Sequence, residues 1–253
     1  MDIERIKEKY GGIYTLEYLA ETDSTNKYLK ERRDLFESGH AVFAGTQSGG
    51  KGRNGRAFFC YDGGFYMSLL LKTGIPCENA LDYTTAAAVA VCRAMEKNGS
   101  GEMQIKWVND VYRSGKKVCG ILTEAVTDLA LGQVSIIIGI GVNLFAPKEF
   151  PDDIKDRAGF VFAEYDRALE ENFALSLLNE AQALFSKAGD GCRDHTDEYI
   201  KRNIVAGKTV DIIRGGEKRR AFVRAIDETC ALDVIYENGE KDTVLSGEVS
   251  IIV

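Results

Sequence analysis

Histidine is scarce in this sequence, and His40 and His195 stand far apart. The six cysteines, Cys60, Cys77, Cys92, Cys119, Cys192 and Cys230, include no CxxC pair. Those two lacks exclude a clustered zinc site and predict buried free thiols instead. A basic excess is also missing: 32 Lys and Arg face 39 Asp and Glu, a net charge of −7. That balance counts against a general DNA- or RNA-binding surface but leaves room for a local basic site, so any basic cluster becomes informative. The N-terminus MDIERIKEKYGG has no apolar signal core, and the strongest apolar run, Val134 to Ile140, has only the length of a strand. The expectation is a cytoplasmic protein with no membrane span. What is present, 45% hydrophobic and 28% charged residues in a chain of 253, is the composition of an ordinary globular protein.

Patterning then gives a sequence of elements. Ile3 to Tyr10 reads as a short helix. Asp23-Ser24-Thr25-Asn26 before Lys27-Tyr28-Leu29-Lys30 reads as a helix start, which aims backbone N–H groups at whatever lies there. Ala41 to Thr46 and Phe65 to Leu71 read as core strands joined by a glycine-rich basic run. Glu78 to Asn98, with its alanine-rich middle, is the clearest helix and suits close packing against a sheet. Ile105 to Val108, Val118 to Thr123 and Val134 to Ile140 supply further strands, and Phe162 to Lys187 a long helix. A short helix is expected around Glu198-Tyr199-Ile200. After Gly207 come short β-type runs, Thr209 to Ile213, Ala221 to Ile226, Ala231 to Tyr236 and Val249 to Val253. Gly215-Gly216 and Asn238-Gly239 serve as hairpin turns, which together suggest a small barrel.

The chemistry concentrates in Gly49-Gly50-Lys51-Gly52-Arg53-Asn54-Gly55-Arg56. Four glycines allow close backbone approach but lose about 1 to 2 kcal/mol of conformational entropy per residue on ordering. The expectation is a mobile loop that closes when a ligand supplies compensating contacts. Lys51, Arg53 and Arg56 suit phosphate or carboxylate oxygens. The run is not a Walker A loop, which needs Ser or Thr directly after its lysine and a helix behind it. Gly139-Ile140-Gly141-Val142-Asn143 lacks the third glycine of a dinucleotide fingerprint. Lys106-Trp107-Val108-Asn109-Asp110 and Lys116-Lys117 place further charge at strand ends, and taken with the loop they imply converging positive charge in an acidic protein.

Taken in order, these stretches resemble the biotin–protein ligase family. The matching segments are Ser24-Thr25-Asn26, TQSGGKGRNGR from Thr46, KWVND from Lys106, KKVCGILTE from Lys116, GIGVNL from Gly139 and SGEVS from Ser246. The resemblance covers nearly the whole chain. It implies an α+β fold: a mixed β-sheet catalytic domain with helices over residues 1–204, and a small SH3-like β-barrel over 205–253. It also implies two half-reactions. Biotin and ATP with Mg2+ give biotinyl-5′-AMP and pyrophosphate, and a lysine of a biotin carboxyl carrier protein then takes the biotinyl group.

By position, the resemblance assigns Ser24, Thr25 and Gln47 to biotin's ureido ring, with Lys51 contacting biotin through its backbone. Arg53 and Arg56 fall on the side that closes over the adenylate. Lys117 falls beside biotin's carboxylate and the reacting α-phosphate, where a fixed cation stabilises developing charge. Asp110 is the implied ligand for magnesium, Asn109 and Lys106 adjoin the nucleotide, and Asn143 is the adenine-side amide. Three positions depart from the family pattern: Lys51 stands for the usual arginine, Phe58 for the usual tryptophan and Val108 for the usual proline. The Phe58 change removes an indole donor and stacking area. About twenty residues precede Ser24, too few for the DNA-binding domain that some members carry, so no specific DNA binding is expected. Family members include homodimers. The competing readings are a related lipoate or acyl ligase and a biotin-binding regulatory protein without catalysis.

Overall fold

The computed structural model describes residues 1–74, 80–128, 132–189 and 192–251. Cys77 and the first two residues of the helix expected from Glu78 lie outside these, as do the last two residues of the strand expected to reach Val253.

Seven strands form a mixed sheet. They are β1 (Thr15–Thr22), β2 (His40–Gln47), β3 (Phe65–Thr73), β4 (Gln104–Lys106), β5 (Asp110–Arg113), β6 (Lys116–Asp128) and β7 (Gln133–Val142). Their spatial order is β1-β2-β3-β7-β6-β5-β4. β1 and β2 run parallel, joined through helix α2 (Thr25–Arg32), and every other neighbouring pair is antiparallel.

Alternation along the strands divides the apolar residues between two faces. Val42, Leu70 and Ile137 meet Leu29 of α2 on one side. Phe43, Leu69, Ile136 and Ile138 join the main core on the other. That second face is covered by α3 (Ala80–Lys97), with α4 (Arg167–Gly189) packed against it. Ala86 through Cys92 are buried without a break. Small side chains let α3 lie close to both the sheet and α4, which is why its sequence lacks a one-sided apolar stripe. Helix α1 (Ile3–Tyr10), capped by Asp2, contacts β1 and α4, while α5 (Thr196–Arg202) contacts α3 and β4.

A second, antiparallel sheet follows: β8 (Thr209–Arg214), β9 (Glu217–Ile226), β10 (Leu232–Tyr236), β11 (Lys241–Val244) and β12 (Glu248–Ile251), in the order β11-β10-β9-β8-β12. Gly215-Gly216 and Gly239 turn its hairpins with positive φ, where glycine carries no Cβ penalty. The long helix begins at Arg167, later than the Phe162 start read from sequence, because Phe162 bonds back to Leu144 through its backbone N–H. β4 ends at Lys106, and Trp107 to Asn109 form the turn into β5. Cys92, Cys119 and Cys230 are buried free thiols as expected, whereas Cys60 and Cys192 are only half-buried.

Candidate active site

The carboxyl ends of β1 and β2 open beside the start of α2. Thr22 is paired with Gln47 there, and Ser48 and Gly49 continue the pairing by donating to the carbonyls of Thr22 and Asp23. Ser24 is extended and caps α2 by accepting from Lys27 N–H. The Thr25 N–H donates to Gln47 Oε1 at 2.8 Å, and the Thr25 hydroxyl lies 3.1 Å from the same oxygen. Ser68 Oγ, on β3, is 2.7 Å from Thr25 Oγ1 and donates to Asn26 Oδ1 at 2.6 Å. Asn26 Nδ2 donates in turn to the Leu122 carbonyl and to Glu124. A buried polar chain of this kind holds its members in one arrangement, since breaking any link strands a desolvated group.

Ser24, Thr25, Asn26, Gln47 and Leu122 of this chain line part of a cavity of about 470 Å³, with Ser68 and Glu124 behind them. Glycines clear its floor. A Cβ at Gly139 would sit 2.1 Å from Asn26 Oδ1, and one at Gly141 would sit 2.8 Å from the Phe58 ring. The Phe58 ring thus packs close against the backbone of Gly120 on β6 and Gly141 on β7, an aromatic group with no N–H to donate.

The basic run is a folded hairpin in this structure. Asn54 and Gly55 both have positive φ at its tip, Gly52 N–H donates to the Arg56 carbonyl at 2.7 Å, and Lys51 bridges to Ala57. An Asn-Gly pair favours this left-handed turn, which compensates part of the entropy cost expected from the glycines. Arg53 reaches Asn109 Oδ1 at 3.3 Å, and Arg56 pairs with Glu248 of β12 at 2.5 Å.

Opposite the loop, the turn from β4 to β5 presents Lys106, Asn109 and Asp110. Asn109 is pinned to β6: its Nδ2 donates to the Ile121 carbonyl at 2.7 Å, and its own carbonyl accepts from Ile121 N–H. Lys117 Nζ lies 2.6 Å from Asp110 Oδ1. Burial lowers the Arg53 guanidinium from its ordinary value, with Asp110 pulling the other way. Burial also lowers the Lys106 ammonium, opposed by Asp110 and reinforced by Lys117. Both shifts follow from partial burial of a cation. Among the described lining residues, six cationic side chains face two carboxylates, Asp110 and Glu248, so the cavity is electropositive although the chain is acidic.

All the residues singled out in the sequence, Ser24, Thr25, Gln47, Lys51, Arg53, Arg56, Lys106, Asn109, Asp110, Lys117 and Asn143, line this one cavity. Asn143 uses its Nδ2 on the Gly159 carbonyl at 2.8 Å, so it also fastens the 158–162 segment beside the site. Sequence reading missed Asn26 and Ser68 as members of the polar chain. It also gave no role to Glu248, although that residue stands inside the quoted SGEVS stretch. No group of three or more His, Cys, Asp or Glu that could hold a metal ion occurs among the described residues.

The model of the biotin/lipoate A/B protein ligase family matches residues 18–143. A structure of biotin protein ligase from Aquifex aeolicus in complex with biotin and ATP superposes with a TM-score of 0.78 at 29% identity, covering 94% of this chain and 98% of that one. The bifunctional ligase/repressor BirA of Escherichia coli (strain K12) is 27% identical over 234 residues, 90% of this chain and 71% of BirA. The biotin–[acetyl-CoA-carboxylase] ligase of Mycobacterium tuberculosis is 27% identical over 250 residues, 92% of this chain and 88% of that protein.

Proposed function

Because this chain belongs to the biotin/lipoate A/B protein ligase family, we propose that its cavity joins biotin to ATP and passes the biotinyl group to a lysine of a biotin carboxyl carrier protein. The observation that carries the reading is the division of one cavity into two chemistries. One end is lined by the neutral hydrogen-bonding side chains of Ser24, Thr25 and Gln47, suited to a ureido ring, with Ser68 holding Thr25 from behind. The other is a cluster of cations, Arg53, Arg56, Lys106 and Lys117, suited to phosphates.

In the first half-reaction a biotin carboxylate oxygen attacks the α-phosphorus of ATP and pyrophosphate leaves. Lys117 supplies positive charge where the two anions approach, lowering their repulsion and stabilising the charge on the equatorial oxygens. Arg53 and Arg56, on the hairpin, cover the adenylate and keep water from the mixed anhydride. In the second half-reaction the neutral ε-amine of the carrier lysine attacks the acyl carbon, an amide forms and AMP departs. That amine has an ordinary pKa of about 10.4, so it must lose a proton first, either to solvent before docking or to a carboxylate such as Asp110.

Magnesium fits this donor set: Asp110 is a single carboxylate in a phosphate site, the sparse protein ligation Mg2+ adopts when phosphate and water complete its shell. When bound it neutralises phosphate charge.

Pyrophosphate release from ATP tests the reading. We expect release that depends on biotin and is not supported by lipoate. Release with lipoate alone would shift the assignment to a lipoate ligase, and no release with bound biotin would reduce the protein to a binder.

A further inference from the structure

Cys60 stands beneath the junction between the ureido end and the basic hairpin. Gln47 Nε2 donates to its sulfur at 3.5 Å, and the thiol donates to the Phe58 carbonyl at 3.4 Å. The Phe58 N–H in turn donates to the Gly50 carbonyl at 2.9 Å. Any Cβ on Gly50 would lie 2.4 Å from the sulfur, so glycine at the loop's entry makes room for it. Burial raises the Cys60 thiol above its ordinary value, which keeps the proton that the Phe58 carbonyl accepts.

An amide side chain has one acceptor and two donors. Gln47 has its oxygen committed to the Thr25 N–H and one N–H committed to sulfur. Its second amide proton is left for the cavity it lines. With the amide reversed, the Thr25 N–H would face an NH2 group and lose its acceptor. Thr25 selects this orientation, and the sulfur reinforces it: its own proton is committed to the Phe58 carbonyl, so it faces Gln47 only as an acceptor.

We propose that Cys60 is a positioning residue that fixes the Gln47 amide so that it offers a proton to an acceptor on the ligand, a carbonyl oxygen in the case of biotin's ureido group. The assignment rests on the biotin reading of the cavity. It makes the thiol part of ligand selection without any contact to the ligand.

The test is steady-state pyrophosphate release by wild type, Cys60→Ala, Cys60→Ser, Gln47→Ala and the Cys60→Ala/Gln47→Ala double variant, with thermal unfolding of each. Cys60→Ala raises KM for biotin about fivefold, the size of one neutral hydrogen bond, while kcat and KM for ATP stay within about twofold. Serine, which also donates and accepts, restores KM to within about twofold of wild type. In the Gln47→Ala background the Cys60→Ala change has no further effect on KM, because a residue acting through Gln47 has nothing left to position. An unchanged KM in Cys60→Ala, an equal rise in the Gln47→Ala background, or a serine variant as impaired as alanine would each overturn the proposal. Wild type that releases no pyrophosphate with biotin would instead overturn the reaction itself, and the positioning role with it.

Discussion

Lys117 enters the cavity from the first residues of β6 and meets Asp110 at 2.6 Å. Both side chains are about a quarter to a third exposed, at 34% and 22%. The ion pair therefore adds little to stability, and its value lies in placing charge. Lys117→Ala is expected to slow adenylate formation by about 10²- to 10³-fold, the loss typical of one transition-state donor, with little change in melting temperature. Single-turnover formation of labelled adenylate measures it, and a loss under about threefold would remove Lys117 from the chemistry. Motif reading found this residue because its neighbours in sequence carry the pattern. Cys60 and Ser68 were not legible in the same way. Ser68 reads as one polar residue in an apolar strand, and only the register of β3 against β2 and β7 turns it toward Thr25 and Asn26.

Among the elements, the strands with strong apolar runs and the hairpins with glycine turns were legible, and β1 was not. β1 is an edge strand whose side chains are mostly at least partly exposed, and Glu17, Tyr18 and Glu21 blur its alternation. The N-terminus of α2 was read correctly from Ser24, since a cap is a local device. Its packing was not, because the approach of α2 to β7 depends on a missing side chain far along the chain. That absence is testable. Gly139→Ala forces a Cβ into Asn26 Oδ1 and so breaks the links to Ser68, Leu122 and Glu124. We expect a loss of about 1 to 3 kcal/mol in urea unfolding together with weaker biotin binding. Gly12→Ala, which meets nothing within 4 Å, is expected to be neutral. Equal stability of the two variants would show that Asn26 does not tie α2 to the sheet.

At the scale of the whole molecule the two sheets meet at the site. Trp107 Nε1 donates to the Cys230 carbonyl at 2.8 Å, so the turn that presents Asn109 and Asp110 is anchored on the segment leading into β10. Arg56 pairs with Glu248 of β12, and β12 with its flanking residues Gly247 to Ser250 lines the cavity. Sequence periodicity showed a change of texture after Gly207 but not this meeting, because both contacts join residues far apart along the chain. The second sheet is a wall of the reaction chamber, which explains how an acidic chain concentrates positive charge in one place: the carboxylates lie mainly elsewhere, and the lining carries the cations. A ligase chamber must both make the activated biotin and release it only to an amine. Intact mass of a biotin carboxyl carrier domain, incubated with the protein, biotin and Mg2+ with ATP, tests both at once. The mass is expected to rise by one biotinyl group on a single lysine, only when ATP and this protein are both present. An unchanged carrier mass, with folded protein and several carrier domains, would contradict the account.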